Sequence, residues 1–198
     1  MTGRIILLNG VSSAGKSTVA DALDRTLNGV WMHTGVDMWL ETVRGSLEGE
    51  RLLSVEVTGD PPRVSAFGLT SVGFRVLGST YHAYAALARL GNDVIIDDVI
   101  FDARVLREAV RALTGVPVLF VGVRCPIGVA EEREAVRGDR RPGLARIQDD
   151  LVHAHGTYDL EIDTSATAPE VNAELIKVRL EEGPEPVAFA RLRSRRTG

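Results

Sequence analysis

Residues 10–17 carry the residue types that bind phosphate groups. Their sequence, Gly-Val-Ser-Ser-Ala-Gly-Lys-Ser, fits the pattern G-x-x-x-x-G-K-[ST] without a mismatch. Small residues let the backbone wrap around phosphates, Lys16 can reach the β- and γ-phosphates, and the Ser17 hydroxyl can ligate Mg²⁺. An apolar run before the loop and helical spacing after it favour a P-loop over a glycine-rich turn with an incidental lysine. The predicted contacts to a nucleoside triphosphate are Gly10, Ser12, Ser13, Ala14, Gly15, Lys16, Ser17 and Thr18.

Two acids follow the apolar run of residues 94–96. A carboxylate at the end of a buried strand is the Walker B pattern, so Asp97 is predicted to hold Mg²⁺ together with Ser17. Side chains alternate along a strand, so Asp98 is expected to point the opposite way. Without a P-loop, a helix N-cap or a surface charge would be the simpler interpretation of either acid.

Asp37 follows the predicted second strand, on the side of the site where a phosphoryl acceptor would bind. A carboxylate there can take the proton of a substrate hydroxyl while the oxygen attacks phosphorus. Asp37 could equally be the N-cap of a helix over residues 38–43. The pattern by itself leaves both interpretations open.

The segment 133–143 combines arginines with glycines between two predicted helices. Arg133 and Arg137 lie four residues apart and share one helix face. Such a segment could close over a triphosphate as a lid, supply positive charge and exclude water. The alternative is a solvated face in which the arginines pair with Glu131, Glu132 and Glu134.

The elements that must position these residues alternate between strand and helix. Buried apolar runs of this kind predict an α/β fold with a five-stranded parallel sheet and helices on both faces. Ligands of such sheets bind at the carboxyl ends of the strands, where the polar residues above converge. The predicted strands cover residues 5–8, 30–33, 94–98, 117–123 and 158–163, and the main helices cover 19–27, 69–90, 103–113, 126–136, 144–155 and 169–181.

A single domain over residues 1–182 accounts for this pattern. Glycines and prolines punctuate residues 44–68, which predicts an insertion near the acceptor site, with a hairpin formed by residues 52–58 and 63–67. Two prolines and several arginines in residues 183–198 predict a mobile basic tail, with a loosely docked arm as the alternative.

Composition narrows the class of protein. The 198 residues have a net charge of −4, which gives no reason to expect nucleic acid or an anionic membrane as partner. The sequence shows no apolar run long enough to span a bilayer and no signal peptide, and its single cysteine fits a reducing compartment. The expectation is a cytoplasmic protein with a small-molecule partner, and a homo-oligomeric state stays open.

Collinear motifs between residues 4 and 165 resemble the chloramphenicol phosphotransferases, P-loop kinases that phosphorylate the primary hydroxyl of the antibiotic. The stretches that carry the resemblance are Leu8–Lys16, Gly35-Val36-Asp37, Ile95–Val99, Val121–Cys125, Arg133-Glu134, Arg137–Arg140, Val152-His153, Tyr158-Asp159 and Asp163-Thr164.

The resemblance implies a P-loop kinase core with an arginine-bearing lid, using ATP and Mg²⁺. It implies that Asp37 is the catalytic base and that Arg133 and Arg137 clamp phosphate. It also implies an adenine pocket that includes Thr164 with Arg124 nearby.

The leading hypothesis is an ATP-dependent O-phosphotransferase whose acceptor is a small hydroxylated compound, such as chloramphenicol, inactivated as a form of antibiotic resistance. One alternative is a housekeeping kinase for a nucleoside or another metabolite. Another is an ATP-binding regulatory module that turns over no acceptor. Residues 36–62 contain only Arg44 and Arg51 as basic residues, which favours an uncharged acceptor.

Overall fold

The computed structural model describes residues 1–43, 52–137 and 142–195. The strands are β1 (Ile5–Asn9), β2 (Trp31–Gly35), β3 (Leu53–Thr58), β4 (Arg63–Leu69), β5 (Asp93–Asp98), β6 (Val118–Arg124) and β7 (Leu160–Asp163). The helices are α1 (Lys16–Thr26), α2 (Val36–Val43), α3 (Ser71–Arg89), α4 (Ala103–Ala112), α5 (Ile127–Arg137), α6 (Leu144–Val152), α7 (Pro169–Glu181) and α8 (Ala188–Ser194).

Five strands form a parallel sheet in the order β2-β5-β1-β6-β7, which confirms the predicted architecture. Strand β1 lies at the centre and is completely buried. Its side chains alternate between two hydrophobic cores, Ile5 and Leu7 in one and Ile6 and Leu8 in the other. The core around Ile5 includes residues of α3, α4 and α8, and the core around Ile6 includes residues of α1 and α7, so helices cover both faces.

The connection from β2 to α2 is shorter than expected, because the predicted strand ended at residue 33 and the predicted helix began at residue 38. Strand β2 continues to Gly35 and α2 begins at Val36 without an intervening loop. A side chain at Gly35 is excluded because its Cβ would lie 2.3 Å from the Asp97 carbonyl oxygen. Asp37 therefore lies in the first helical turn, where a carboxylate is favoured by the helix dipole, and it is not the N-cap.

The predicted hairpin is present, as an antiparallel sheet of β3 and β4 separate from the main sheet. It is tied at both ends. Thr70 donates its backbone N–H to the Leu52 carbonyl at 3.2 Å, and Val64 donates its N–H to the Pro142 carbonyl at 2.9 Å. The earlier part of the predicted insertion, residues 44–51, lies outside the described residues.

The predicted mobile tail is corrected for residues 188–194, which form α8. Phe189 is buried and stacks on Phe120 of β6, with ring centroids 5.2 Å apart. The Asp159 carboxylate accepts the backbone N–H groups of Val187 and Ala188 at 2.7 and 2.9 Å. Arg191 and Arg193 lie on the exposed side of α8, which an aromatic residue holds against the core.

We expect Phe189→Ala to lower the free energy of unfolding by about 2–4 kcal/mol, because it removes a buried ring and leaves a cavity against Phe120. Arg193→Ala, an exposed position of the same helix, is the matched control and should change stability by less than about 0.5 kcal/mol. Chemical denaturation measures both. Equal effects of the two variants would show that α8 does not contribute to the core.

Candidate active site

The P-loop connects β1 to α1 and has the conformation of an anion-binding loop. Gly15 adopts a φ of 87°, and Ser13 a φ of 60°, so the loop turns back across the N-terminus of α1. Within the described residues no side chain caps α1, and its first turn contains no acid. The Ser13 hydroxyl is buried and makes no hydrogen bond to any described residue. These features fit a phosphate group bound at the N-terminus of α1.

Asp97 is the acid that faces the P-loop. Its Oδ2 accepts a hydrogen bond from the Ser17 hydroxyl at 2.5 Å, and its Oδ1 lies 3.9 Å from the Lys16 Nζ. Lys16 is largely buried and also donates to the Val11 carbonyl at 2.9 Å. Two hard oxygen donors and one ammonium group therefore meet at the carboxyl end of β5.

Asp98 points to the opposite face of the sheet, as strand alternation predicts. It is buried, and it accepts hydrogen bonds from the Tyr81 hydroxyl and from the Val99 backbone N–H. Burial raises the pKa of Asp98 to about 6. Since this carboxylate is sequestered under α3, only Asp97 is available to the P-loop side.

A cavity of about 890 Å³ opens over these groups at the carboxyl ends of the strands. Most of the predicted site residues line it, including Asp37 at its α2 side and Arg137 at its α5 side. The predicted residues that line this cavity are Ser12, Ser13, Gly15, Lys16, Ser17, Thr18, Asp37, Asp97, Arg133, Arg137 and Thr164. Gly10 and Ala14 are buried behind the loop backbone.

Arg124 does not reach this cavity. Its guanidinium pairs with Glu161 at 2.5 Å and lies 5.7 Å from the ring centroid of Tyr158. The register places Arg124 opposite Asp163, so Glu161, two residues earlier on β7, is its diagonal neighbour on the same sheet face. The side chain lines a smaller neighbouring cavity of about 300 Å³. Only its backbone carbonyl, which accepts the Thr164 N–H at 3.1 Å, contacts the expected adenine loop.

Arg133 is held across the end of the P-loop. It donates to the Thr164 hydroxyl at 3.1 Å and to the Thr164 carbonyl at 2.9 Å. The Thr164 hydroxyl in turn donates to the Ala14 carbonyl at 2.6 Å. These bonds connect α5, the loop after β7 and the P-loop.

Two glutamates of α5, Glu131 and Glu134, have partners in α6 or next to it. Glu131 pairs with Arg146 of α6, and the buried Glu134 carboxylate accepts the N–H groups of Gly143 and Ala145 at 2.9 and 3.0 Å. Glu131 and Glu134 are therefore bound to α6 and to the residue just before it. Residues 138–141, including Arg140 and Arg141, lie outside the described residues.

Gln148 is a site residue that the motifs did not reveal. Its Oε1 accepts the backbone N–H of Ser12 at 2.7 Å, so α6 supports the P-loop directly. The signal was present in the helical spacing, because Gln148 lies between Ala145 and Val152 on the buried face of α6. A fully buried amide on an otherwise apolar face needs a specific partner.

In the described ranges, no helix combines the length and apolarity that crossing a membrane requires.

Several solved structures share this fold, and two kinases and an antibiotic resistance protein are among them. The APS kinase of Mycobacterium tuberculosis, solved with AMPPNP and APS, superposes with a TM-score of 0.66 at 18% identity, covering 91% of this chain and 98% of that chain. The tunicamycin resistance protein of Deinococcus radiodurans gives 0.66 at 20% identity, covering 90% and 96%. The shikimate kinase of Acinetobacter baumannii, solved with shikimate, gives 0.61 at 18% identity, covering 91% and 94%. The fold is that of the P-loop kinases.

The sequence comparisons are more specific. The family model described as "Chloramphenicol phosphotransferase-like protein" matches residues 3–181. A Mycobacterium tuberculosis protein named "Putative O-phosphotransferase" is 36% identical over 201 residues, which cover 98% of this chain and 89% of that protein. The chain belongs to the chloramphenicol phosphotransferase-like family, which confirms the resemblance found in its motifs.

The Glu134 contacts give a stability prediction. Glu134→Ala leaves two buried N–H groups at the start of α6 without their acceptor, so we expect unfolding to become easier by about 2–4 kcal/mol. Glu132→Ala, an exposed position of the same helix, should change stability by less than about 0.5 kcal/mol. Denaturant titration compares them, and an unchanged midpoint for Glu134→Ala would refute the anchoring role.

Proposed function

We propose that the protein transfers the γ-phosphoryl group of ATP to a hydroxyl group of a small molecule. The observation that carries the proposal is the shared cavity: Asp37, Lys16 and the Ser17–Asp97 pair line the same space. A phosphate-binding loop and an acid on the acceptor side are the two parts that transfer to an alcohol requires.

The residues present fit a nucleotide with Mg²⁺. Ser17 Oγ and Asp97 Oδ2 are oxygen donors on the exposed side of α1 and β5, the chemistry that Mg²⁺ prefers. No group of three or more His, Cys, Asp or Glu residues in the described part of the chain could hold a metal alone. Mg²⁺ would take its remaining ligands from phosphate oxygens and water, and it would neutralise negative charge when bound.

In the proposed reaction, Asp37 accepts the proton of the acceptor hydroxyl as its oxygen forms a bond to the γ-phosphorus. The bond from that phosphorus to the β–γ bridging oxygen breaks, and the electron pair leaves with ADP. Lys16 and the arginines of α5 stabilise the negative charge on the phosphoryl oxygens. Arg133, held by Thr164, is pre-positioned for this role at the end of the P-loop.

A hydroxylated antibiotic is the acceptor class we propose, with chloramphenicol as the first compound to test. The family description and the name of the Deinococcus radiodurans neighbour support an antibiotic. Phosphorylation of a hydroxyl that the drug needs for binding its target would inactivate it and confer resistance.

Asp37→Asn should reduce kcat by about 10²–10⁴-fold, because an amide cannot take the hydroxyl proton, while ATP binding is retained. Glu41→Ala is the matched control, an acid one turn later on α2 that does not line the cavity. The measurement is product formation from ATP·Mg²⁺ over a panel of hydroxylated antibiotics, nucleosides and sugar acids. Unchanged kcat in Asp37→Asn on a confirmed acceptor would refute the assignment of the base. ATP binding without any product would favour a regulatory module.

The neighbouring acids give a second test. In Asp97→Asn, about tenfold more Mg²⁺ should be needed to support nucleotide binding, since the amide is a weaker ligand than the carboxylate. Asp98→Asn should leave the Mg²⁺ response unchanged, because Asp98 faces Tyr81 under α3. Calorimetric titration of ADP at several Mg²⁺ concentrations measures both. The reverse result would assign the metal to Asp98.

A further inference from the structure

The acceptor half of the cavity differs from the phosphate half in its chemistry. Helix α2, the hairpin, α3 and the loop between β5 and α4 contribute mainly apolar side chains. These are Met38, Leu40, Leu53, Phe67, Leu77 and Phe101. Met38 lines the cavity with 49% of its surface exposed.

The cationic residues lie on the other side. Among the described residues that line the cavity, the lysine and arginines are Lys16, Arg133 and Arg137, all from the P-loop segment or α5. The charged residues that the acceptor-side elements and β5 contribute are the acids Asp37 and Asp97. His33 lines the cavity from β2, and its Nδ1 lies 3.9 Å from the Asp21 carboxylate on α1. An anionic acceptor would therefore approach carboxylates without an arginine or lysine from the described acceptor wall.

Two aromatic rings form the most specific part of this wall. Phe67 of β4 and Phe101 of the loop after β5 have ring centroids 4.5 Å apart, with an interplanar angle of 52°. Both are half-buried, so part of each ring remains open. Rings in this arrangement offer a surface for a further ring or flat apolar group.

The hairpin holds Phe67 as a fixed wall. Phe67 is the cross-strand partner of Val55. Backbone hydrogen bonds join Thr70 to Leu52, just before β3, and Val64 of β4 to Pro142. Gly143 follows that contact, and its N–H is held by the buried Glu134. A ring fixed in this way contributes binding energy without the cost of ordering a loop.

We propose that Phe67 and Phe101 form a platform for the apolar body of the acceptor. The protein thus selects uncharged alcohols with a ring or flat apolar group over phosphorylated or carboxylated acceptors. This inference rests on the proposed function and adds the substrate class and the residues that select it.

A matched pair of probes tests the class. 4-Nitrobenzyl alcohol and 4-(hydroxymethyl)benzoate have nearly the same shape and differ by one negative charge. We expect the neutral compound to bind to the ADP·Mg²⁺ complex at least about tenfold more tightly, because the carboxylate loses hydration against a wall whose described residues include no lysine or arginine. Ligand-detected NMR titration reads binding without any transfer reaction.

Variants test the platform. Phe67→Ala should weaken binding of the neutral probe about five- to tenfold, and Phe67→Leu should restore part of it. Val57→Ala is the control, an exposed apolar residue on the same hairpin that does not line the cavity. Phe67→Lys should shift preference towards the benzoate. Unchanged ADP affinity in every variant establishes that the fold is intact.

The outcomes separate this inference from the proposed function. Equal or tighter binding of the benzoate, no binding of the nitro compound, or a Phe67→Ala variant that binds like the wild type would each overturn the platform. Preference for the benzoate would indicate that a basic residue binds its carboxylate, and Arg44 and Arg51, which lie outside the described residues, would be the first to mutate. Selective binding of the neutral probe, with no phosphorylation of any alcohol, would leave the platform standing and overturn the proposed transfer.

Discussion

The contact between the P-loop and the carboxyl end of β5 is the constraint on which the site depends. Ser17 and Asp97 come from segments 80 residues apart and meet at 2.5 Å. They meet because β1 and β5 are adjacent parallel strands in register, with Leu8 opposite Asp97. On the other side of β5, Gly35 packs against the Asp97 carbonyl, and α2 begins at the next residue. The candidate base on α2 is thereby positioned relative to the candidate metal ligand by backbone geometry.

Helices α5 and α6 act as one supporting unit between the two halves of the cavity. Gln148 of α6 holds the P-loop at Ser12, and Glu134 of α5 holds the start of α6. The carbonyl of Pro142, the residue before Gly143, accepts the N–H of Val64 in the hairpin. Hydrogen bonds therefore connect the hairpin to the P-loop by way of α5 and α6. Buried polar contacts of this kind tolerate little change because each unpaired group costs free energy.

The C-terminal arm shows how composition can mislead when burial is unknown. Residues 183–198 are rich in arginine and contain two prolines, the composition of a solvated tail. One phenylalanine reverses that expectation, since Phe189 enters the core beside Phe120 and Asp159 caps the helix that carries it. A single buried aromatic side chain outweighs several exposed charges, because the charges lose little by remaining in water.

The sequence by itself determined the P-loop, the parallel sheet, the hairpin and the family, because these depend on local patterns. Glycines at fixed spacing, buried apolar runs and the period of the helices each require only neighbours along the chain. It also predicted that Asp97 and Asp98 point in opposite directions, which follows from strand alternation.

Only the tertiary structure decided which distant residue each polar side chain contacts. In the structure, Arg124 pairs with Glu161. Glu134 accepts a hydrogen bond from the residue before α6, and Gln148 accepts one from the P-loop. The tertiary structure also made Asp37 part of a helix, because α2 begins at Val36 directly after β2. These outcomes depend on register and on partners many residues away, and no local pattern specifies which donor a buried acceptor will meet.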